Sequence, residues 1–431
     1  MDIIQLGFHD LQGFRSSSAP TEPRPRQWRR KAGTEEAEEP RSIHDVPDDL
    51  LRQILLRLDS PLWLLRAACA YRQFRRAVAS ADSGRSFLRL ASSLHPPVVV
   101  GHYHNCRVRP IAFVPSLSPP APPIDGGRFA LDFLPRSITT TTDWEVADCH
   151  GGLVVLCNSQ NSPSNLIVCD PLTRRYQGIP HPLEKLAGFV VALLDGDGDG
   201  NISISNFRVL YHCFHGDGAP RQVCVFSAAD GGDGWRFLRR PSAGSYYIGH
   251  VAGRVDGSIY LGSVTGNVRV LDNASMELSE VYLPIGIDKS KAPRISTFTV
   301  VHGAGANPTS PPSTWIIHVH GEELEFYRRV RGGSGSGGEW VLEHNIPKLS
   351  EVARGLLAGC PEERLEVYVI AVGTGTAVLS AGDRDERKLL FSIDMDTKKL
   401  APKESLSPDE GDSHQFTYTL PWPQLLQACP S

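Results

Sequence analysis

The sequence lacks several features that would place it in a particular class of protein. No apolar run approaches the ~18 residues that a membrane-spanning helix needs. The 44 Lys and Arg residues nearly balance the 48 Asp and Glu residues, which leaves a net charge of only −4. This balance excludes a strongly basic nucleic-acid binder or a polybasic membrane sensor as an interpretation of the whole chain. We therefore expect neither nucleic acid nor membrane among its partners.

The cysteine pattern and the first residues bear on the compartment. The nine cysteines are an odd number and form no C-x-x-C pair, and most of them lie in apolar runs, where Cys behaves as a small hydrophobic residue. Residues 1–5 lack the basic start and apolar stretch of a secretory signal. We therefore expect reduced thiols and a location in the cytoplasm, the nucleus or both.

What the chain has in abundance is residues that break regular structure. It contains 40 Gly and 33 Pro but only 3 Met among its 431 residues. Long helices rarely tolerate so many breakers, so this composition predicts many short elements joined by turns. The length is equivalent to roughly three domains of ~150 residues.

Residues 1–41 are predicted to be a disordered tail. A basic run at 24–31 is followed directly by four Glu residues between 35 and 39, and apolar residues are few. Segregated charge with little apolar content does not support a packed core. The alternative for the basic run is a nuclear import signal.

Residues 42–92 are predicted to be a small helical domain. Pro47 suits the first turn of a helix, and leucines and isoleucines from Leu50 to Leu58 recur on one helical face. Ser60 followed by Pro61 has the pattern of an N-cap and first helical residue, which predicts that a second helix begins there. A third helix would include the apolar residues from Tyr71 to Val78.

The leucine content of this small domain is its most informative property. Eight leucines lie between Leu50 and Leu65, which is more than a unit of under ~50 residues can bury by itself. Each fully buried leucine contributes ~1.5–3 kcal/mol, so leaving several exposed would forfeit much of the stability. Either the following domain or a partner protein must cover the surplus, and periodicity alone does not choose between them.

The same segment resembles an F-box, a motif that opens Leu-Pro, continues with paired apolar residues at helical spacing and ends Val-Cys-x-x-Trp-Arg. The matching stretches are Val46-Pro47-Asp48-Asp49-Leu50-Leu51, Ile54-Leu55, Leu58, Leu64-Leu65-Arg66-Ala67-Ala68 and Phe74-Arg75-Arg76. Residues 87–97 also resemble the stretch that follows the F-box in plant proteins, particularly those of grasses. The sequence departs from the motif at Val46, at Ala70-Tyr71 and at Phe74, where the family has Leu, Val-Cys and Trp.

The resemblance implies docking on the Skp1 adaptor of a cullin–RING ubiquitin ligase. Carried over by position, the docking residues would be Val46, Pro47, Leu50, Leu51, Ile54, Leu55, Leu58, Leu65 and Tyr71. The sequence alone does not identify the residues that would bind a substrate.

Residues 93–431 are predicted to be a large antiparallel all-β domain. Nine apolar runs of strand length recur between turns without alternating helices. They are Val98–Val100, Leu153–Leu156, Leu166–Cys169, Gln222–Phe226, Ser258–Leu261, Val268–Leu271, Trp315–Val319, Leu365–Ile370 and Leu389–Ile393. The fold class is thus a small three-helix domain followed by an all-β domain, for which a β-propeller is expected and a β-sandwich is the alternative.

A weak internal repeat favours the propeller. Three strands run into an Asp-x-x-Ser/Thr turn, at 170–173, 272–275 and 394–397, in which the carboxylate can accept bonds from nearby backbone N–H groups. A variant turn begins at Ser227. The spacing of these landmarks is near the ~40–50 residues of a four-stranded blade and predicts six to eight blades. The segment 148–176 also resembles the propeller-like domains that follow plant F-boxes.

Two stretches have the residue types of a metal site, but neither completes one. Residues 195–202 match the first part of an EF-hand loop, yet the twelfth position is Asn206 where calcium requires a bidentate carboxylate. Residues 102–106 alternate His, His and Cys without a second ligand pair for zinc. We find no phosphate-binding loop, no nucleophile elbow and no H-E-x-x-H. We therefore predict no metal, no cofactor and no catalytic residue.

These observations predict a non-catalytic substrate receptor of an SCF-type ubiquitin ligase. The helical domain would bind a Skp1-like adaptor, and through it a cullin, while the β domain would bind an unknown target protein. Two alternatives remain open. One is a propeller enzyme or lectin with a helical cap, and the other is an F-box scaffold that acts outside the ligase.

Overall fold

The computed structural model describes the chain in segments. They are residues 46–58, 60–79, 87, 90–91, 98–106, 109–115, 125–135, 144–158, 166–180, 187–196, 202–214, 222–229, 234–238, 248–255, 257–263, 267–282, 298–303, 313–320, 322–330, 339–356, 366–373, 376–382, 389–395, 397–403 and 414–421. The predicted tail at 1–41, with its basic run at 24–31, lies outside them. None of the described helices is long and apolar enough to span a membrane.

Three helices form one compact unit: α1 (Asp48–Leu55), α2 (Pro61–Ala70) and α3 (Arg72–Ala79). Helix α2 begins as predicted, because the Ser60 side chain accepts a hydrogen bond from the Leu62 N–H at 3.2 Å and Pro61 occupies the first turn. Helix α3 packs against both α1 and α2. The predicted third helix starts one residue later than expected, because Tyr71 is extended and ends α2.

The described strands all lie in a second compact unit, where they form six antiparallel sheets. Blade 1 consists of β1 (Val99–Cys106), β2 (Arg109–Pro115) and the last described strand, β23 (His414–Thr419). Blade 2 contains β3 (Trp144–His150), β4 (Leu153–Asn158), β5 (Leu166–Asp170) and β6 (Arg175–Ile179). Blade 3 contains β7 (Ala187–Leu194), β8 (Arg208–Phe214), β9 (Gln222–Ser227) and β10 (Trp235–Phe237).

The other three blades follow the same order. Blade 4 contains β11 (Ile248–Val255), β12 (Ser258–Ser263), β13 (Asn267–Asp272) and β14 (Leu278–Tyr282). Blade 5 contains β15 (Phe298–Gly303), β16 (Ser313–His320), β17 (Glu323–Val330) and β18 (Glu339–Ile346). Blade 6 contains β19 (Glu366–Gly373), β20 (Thr376–Gly382), β21 (Leu389–Asp394) and β22 (Leu400–Lys403), and β23 spans His414–Thr419.

The six blades close into a ring. From blade 2 to blade 6, the first strand of each blade contacts the first strand of the next, and β23 of blade 1 contacts both β19 and β3 and so closes the ring. Strand β23 also pairs with β1, so the two ends of this unit are joined in one sheet. The predicted all-β propeller is therefore confirmed with six blades, and the sandwich alternative is wrong because the described strands form a ring of six sheets, whereas a sandwich consists of two sheets.

Apolar cores lie between successive blades. One core joins blades 2 and 3, another joins blades 3 and 4, and further cores join blades 4 and 5 and blades 5 and 6. The second and third strands contribute to each core, and first strands contribute as well, as Val191 and Leu193 of β7 do in the core of blades 2 and 3. A helix that the sequence analysis did not expect, α4 (Leu349–Leu356), follows blade 5 and buries Leu349 in the core of blades 5 and 6.

Candidate functional site

The nine predicted docking residues divide into two groups in the helical unit. Leu51, Leu55 and Leu65 are buried within it. The other six are partly or largely exposed: Val46, Pro47, Leu50, Ile54, Leu58 and Tyr71. Leu50 and Ile54 are the exposed large apolar residues of α1, at 50% and 56%. They lie four residues apart and so share one face of the helix.

Hydrogen bonds to α3 fix the position of α1, which carries this exposed face. The Arg52 guanidinium on α1 donates its Nε–H to the carbonyl of Ala77 on α3 at 2.8 Å, and its Nη1 contacts Asp49 at 2.7 Å. Gln73 on α3 donates to the Val46 carbonyl at 3.1 Å. These bonds fix the beginning of α1 against α3, so Leu50 and Ile54 are presented on a supported helix.

Trp63 on α2 is a further exposed apolar residue that the sequence analysis did not select. Its side chain is 44% exposed, and the Arg66 guanidinium lies 5.2 Å from the centre of its ring. Trp and Arg are enriched among the residues that contribute most of the binding energy at protein–protein interfaces. The signal in the sequence was a tryptophan in the first turn of an otherwise leucine-rich helix.

The propeller contains a cluster of charged and polar residues that connects three blades. We call it the inter-blade cluster, and it consists of Asp148, His150, Asp195, Arg208, Arg254 and Asn273. It gathers where β3, β7 and β11 end. None of these contacts was predictable from the sequence, because the residues are up to 125 positions apart (148 to 273) and the ring of blades is what brings them together.

Asp148 holds blades 2, 3 and 4 to one another. Its Oδ1 accepts the N–H of Cys149 at 2.9 Å, and its Oδ2 accepts the N–H of Leu193 at 2.7 Å and a bond from Arg254 Nη2. The same Arg254 nitrogen donates to the Leu193 carbonyl at 3.1 Å. A buried carboxylate with this many donors has its hydrogen-bonding capacity well satisfied.

Asp195 makes a second set of bonds between the same blades. Its Oδ1 lies 2.7 Å from His150 Nε2, and its Oδ2 accepts a bond from Asn273 Nδ2 at 2.7 Å. The hydrogen bond to His150 is the main reason that the pKa of the Asp195 carboxyl lies below its usual value, although burial opposes the shift. Arg208 is buried and donates to the carbonyl oxygens of Asp195 and Asn273, each at 2.8 Å.

A small cavity of about 150 Å³ opens beside this cluster. Its lining includes His150, Asp195, Arg254, Ser258 and Asn273. The neighbouring thiol of Cys149 is not an activated nucleophile, because burial raises its pKa well above the ordinary value. The arrangement can bind and orient a small polar group.

The two motifs that could have held a metal have other roles here. Strands β7 and β8 flank the acidic loop that starts at Asp195, where an EF-hand would have helices. The Asp195 carboxylate already binds His150 and Asn273. His102 and His104 lie on β1, where His104 is buried. The described residues hold no group of three or more His, Cys, Asp or Glu placed to bind a metal ion.

Comparison with known protein families gives one match. Residues 145–374, more than half of the chain, match the family model described as "F-box protein AT5G49610-like, beta-propeller". The matched span begins at the second residue of β3 and ends just after β19, so it covers blades 2–5 except for Trp144. A search of curated proteins found no match.

Solved structures share only a distant likeness. TolB from Acinetobacter baumannii has 10% sequence identity and a TM-score of 0.35, over 80% of this chain and 73% of that one. The periplasmic gluconolactonase PpgL of Pseudomonas aeruginosa has 11% identity and a TM-score of 0.39, over 71% and 82%. The Cps50 (Swd1) β-propeller domain of Myceliophteria thermophila has 9% identity and a TM-score of 0.30, over 60% and 84%. Likeness at this level carries no argument about activity.

Proposed function

We propose a function from the premise that this chain belongs to the family of F-box proteins with an AT5G49610-like β-propeller. The family predicted from the sequence is thereby confirmed. The proposal is that the protein is a substrate receptor of an SCF-type ubiquitin ligase. Its helical unit docks on a Skp1-like adaptor, and its propeller binds a target protein.

The observation that carries this proposal is the exposure of Leu50 and Ile54 on α1. Both are large apolar side chains, and each is at least half exposed. Burying the exposed half of each on a partner would contribute about half of the ~1.5–3 kcal/mol that full burial of such a side chain gives. An amphipathic helix that keeps such residues exposed, while Leu51 and Leu55 on its other face are buried, is suited to binding another protein.

The proposed mechanism is positional and needs no bond chemistry from this chain. Holding a target on the propeller while the helical unit holds the adaptor raises the effective concentration of a target lysine near the ubiquitin-loaded E2 enzyme. The protein would therefore be a non-catalytic subunit that reaches the cullin through the adaptor. Its place of action would be the cytoplasm, the nucleus or both.

Adaptor binding can be tested with the double variant Leu50→Asp, Ile54→Asp in the full chain. Burial of two unpaired carboxylates should weaken binding to purified Skp1 by at least ~100-fold. Leu342→Asp on β18 is the matched control, because Leu342 is 48% exposed and receives the same chemical change in the propeller. Undiminished Skp1 binding by the double variant would show that the docking assignment is wrong.

A ubiquitination assay with purified components distinguishes the receptor function from the scaffold function. Targets found by proximity labelling after proteasome inhibition would be incubated with the E1 and E2 enzymes, the cullin complex and this protein. The receptor proposal predicts target ubiquitination that the double variant abolishes. Association with the cullin complex without any ubiquitination of the labelled proteins would instead indicate a scaffold.

A further inference from the structure

Blade 1 differs from the other five blades at its outer edge. Its sheet has the order β23, β1, β2, and β23 is the strand that contacts the first strands of the two neighbouring blades. Each of blades 2–6 continues to a fourth strand, whereas in the part of the chain that the structure describes no strand follows β2 in blade 1. Strand β2 is therefore an edge strand with backbone groups on its outer side that can pair with a further strand.

The sequence of β2 limits where such pairing can occur. Pro110 and Pro115 have no backbone N–H, so the donors of this edge lie mainly on residues 111–114 between them. An antiparallel strand directs the N–H and C=O of alternate residues toward the same neighbour. About half of the backbone groups of residues 111–114 therefore point toward β1, which is the strand they pair with in the described structure, and the others point outward.

A cavity of about 400 Å³ lies along the same edge. Residues 110–113 of β2 form part of its wall, and residues of the segment 126–134, which begins with a short 3-10 helix, form another part. The lining is largely apolar and includes Ile111, Phe113 and Leu131. Its volume is within the roughly 300–1,000 Å³ of typical ligand sites, so it can hold one large side chain.

Contacts within the propeller hold both parts of this wall in place. The Phe113 ring packs against Tyr103 and Phe129, with 4.9 and 4.8 Å between the ring centres. The Tyr103 hydroxyl donates to the Phe129 carbonyl at 2.7 Å. Asp132, which also lines the cavity, lies 3.0 Å from the Arg174 guanidinium of blade 2. A ligand would therefore enter a cavity that is already ordered, which favours binding.

An extended peptide segment matches both the edge and the cavity. A strand beside β2 would exchange backbone hydrogen bonds with residues 111–114, and its alternate side chains would point toward one face of the sheet. One of these side chains could then enter the cavity that runs along the edge. A small apolar molecule could fill the cavity but would leave the outward backbone groups without a partner.

A second copy of this chain is a poorer occupant of the edge than a foreign segment. If two β2 strands paired with each other, N–H donors would be missing from both strands, because each contains Pro110 and Pro115. A segment without proline can donate at every position of the ladder. The pattern therefore favours a proline-free segment of another protein.

We propose that the edge of β2 binds an extended segment of the target protein, which adds a fourth strand to blade 1 and places one aromatic or large aliphatic side chain in the cavity. The assignment of this segment to a target rests on the proposed receptor function. Targets would then be selected by a short stretch that is free of proline and alternates apolar with polar residues.

The test uses the full chain and the peptide Thr-Val-Thr-Phe-Thr-Val-Thr-amide with a fluorophore at its amino end. In a strand, its Val and Phe side chains lie on one face and its Thr side chains on the other. Fluorescence anisotropy should show saturable binding. Replacing the Phe with Ala should weaken binding at least ~10-fold, because the apolar burial in the cavity is lost. Equal affinities for the two peptides would overturn the proposal.

Two N-methylated peptides test for the backbone ladder. One carries N-methyl groups on its Thr residues and the other carries them on Val and Phe. A strand paired along one edge uses alternate N–H groups, so one of these peptides should bind at least ~10-fold more weakly than the parent and the other should bind like it. Equal affinities of the two would show that no ladder forms and would overturn the proposal.

Hydrogen exchange shows whether the peptide binds at β2. In the free protein, at least one amide of residues 111–114 should exchange like an exposed backbone amide, and saturating peptide should slow it at least ~10-fold. Slow exchange of all four amides without peptide would mean that another segment of this chain pairs with the edge, and would overturn the proposal. A dimer in sedimentation that the peptide dissociates would indicate a second copy and would overturn it as well.

Ala130→Trp should fill the cavity and weaken binding of the Phe peptide at least ~10-fold. Should that variant fail to fold, Ala130→Leu tests the same point with a smaller side chain, for which a ~3-fold weakening is expected. Phe237→Ala on β10 is the control, because Phe237 is a 55% exposed aromatic residue on the outer strand of blade 3 and should not affect binding. Unchanged binding by a folded Ala130 variant, or equal weakening by the control, would overturn the proposal. None of these outcomes bears on Skp1 binding, so this proposal can fail while the receptor function stands.

Discussion

Single aspartates shape the turns between the third and fourth strands of three blades. Asp170, Asp272 and Asp394 each accept a backbone N–H from the residue three positions later, at 3.3, 2.7 and 2.7 Å. The residue after that adopts a positive φ in every case: Arg174 at 55°, Met276 at 58° and Lys398 at 56°. The role predicted for these aspartates is confirmed, and it explains how a non-glycine residue tolerates a left-handed conformation there.

Replacing Asp272 with Ala should destabilise the propeller. The Asp272 carboxylate accepts bonds from Ala274 N, Ser275 N and Ser275 Oγ. By analogy with helix caps, their loss should lower the free energy of unfolding in urea by about 1 kcal/mol. Glu277→Ala in the same turn is the matched control, since Glu277 is an exposed carboxylate for which the structure shows no such bonds. Equal effects of the two variants would contradict the prediction.

The bonds to Ser275 also lower the pKa of the Asp272 carboxyl below its ordinary value. The unfolded chain therefore takes up a proton at a higher pH than the folded one. The stabilisation by Asp272 should be complete above the ordinary carboxyl pKa and should diminish as the pH falls through the folded value. The difference between wild type and Asp272→Ala should accordingly shrink in acid.

His250 on β11 is expected to make the fold sensitive to mild acid. Burial lowers its pKa to about 4, and its ring contacts Phe298 with 5.3 Å between the ring centres. An unfolded histidine titrates near ~6.5. Between these two pH values the proton binds to the unfolded state but not to the folded one, so the free energy of unfolding decreases as the pH decreases. From about pH 7 to about pH 4.5, wild type should lose about 2 kcal/mol more than His250→Gln in urea unfolding. Parallel pH profiles would refute this role.

At the scale of elements, the sequence predicted the middle strands of the blades, which are the second and third, better than the outer ones. The nine apolar runs fall on β1, β4, β5, β9, β12, β13, β16, β19 and β21. Most of these are second or third strands, which are covered on both faces and so read as continuous apolar segments. Outer strands such as β6 and β18 are largely exposed. Their polar sequences resemble loops until a neighbouring strand is known.

The cap of α2 is an element that the sequence predicted correctly, and it can be tested by hydrogen exchange. Ser60→Ala removes the acceptor for Leu62 N–H and should destabilise α2 by about 1 kcal/mol. Amides in the middle of α2, from Leu64 to Ala68, should then exchange about fivefold faster. Ser60→Asp keeps an acceptor at this position and should exchange like wild type. Equal exchange in the Ala and Asp variants would show that the cap does not stabilise the helix.

At the scale of the whole molecule, the features that the sequence could not predict are those created by ring closure. Strands β1 and β23 pair residues as distant as His102 and Thr417. The inter-blade cluster likewise joins Asp148 to Arg254 across three blades. Composition and periodicity report on neighbours along the chain, so contacts between distant blades need the closed ring. The turn spacing limited the number of blades to between six and eight, but it identified neither the exact number nor the partners across the ring.

Tyr418 links the closing blade to the next one. Its hydroxyl donates to the Gly152 carbonyl in blade 2 at 2.9 Å, and its ring packs against Tyr103 and Phe129 with centre distances of 5.8 and 5.5 Å. Burial raises its pKa well above the ordinary value, so the phenol remains a hydrogen-bond donor. Tyr418→Phe removes only this donor and leaves a buried carbonyl unpaired, which should cost about 1–2 kcal/mol.

If the closed ring unfolds as one cooperative unit, the loss of stability caused by Tyr418→Phe should speed amide exchange in every blade. The slowest-exchanging amides of β16 in blade 5 should exchange roughly 5–30-fold faster in Tyr418→Phe, by the same factor as those of β4 in blade 2. Tyr176→Phe on β6 is the matched control, because Tyr176 is 47% exposed and its substitution should change neither strand. Faster exchange confined to blades 1 and 2 would mean that the blades unfold separately, because a ring that shares its stability cannot lose a closing bond in one place only.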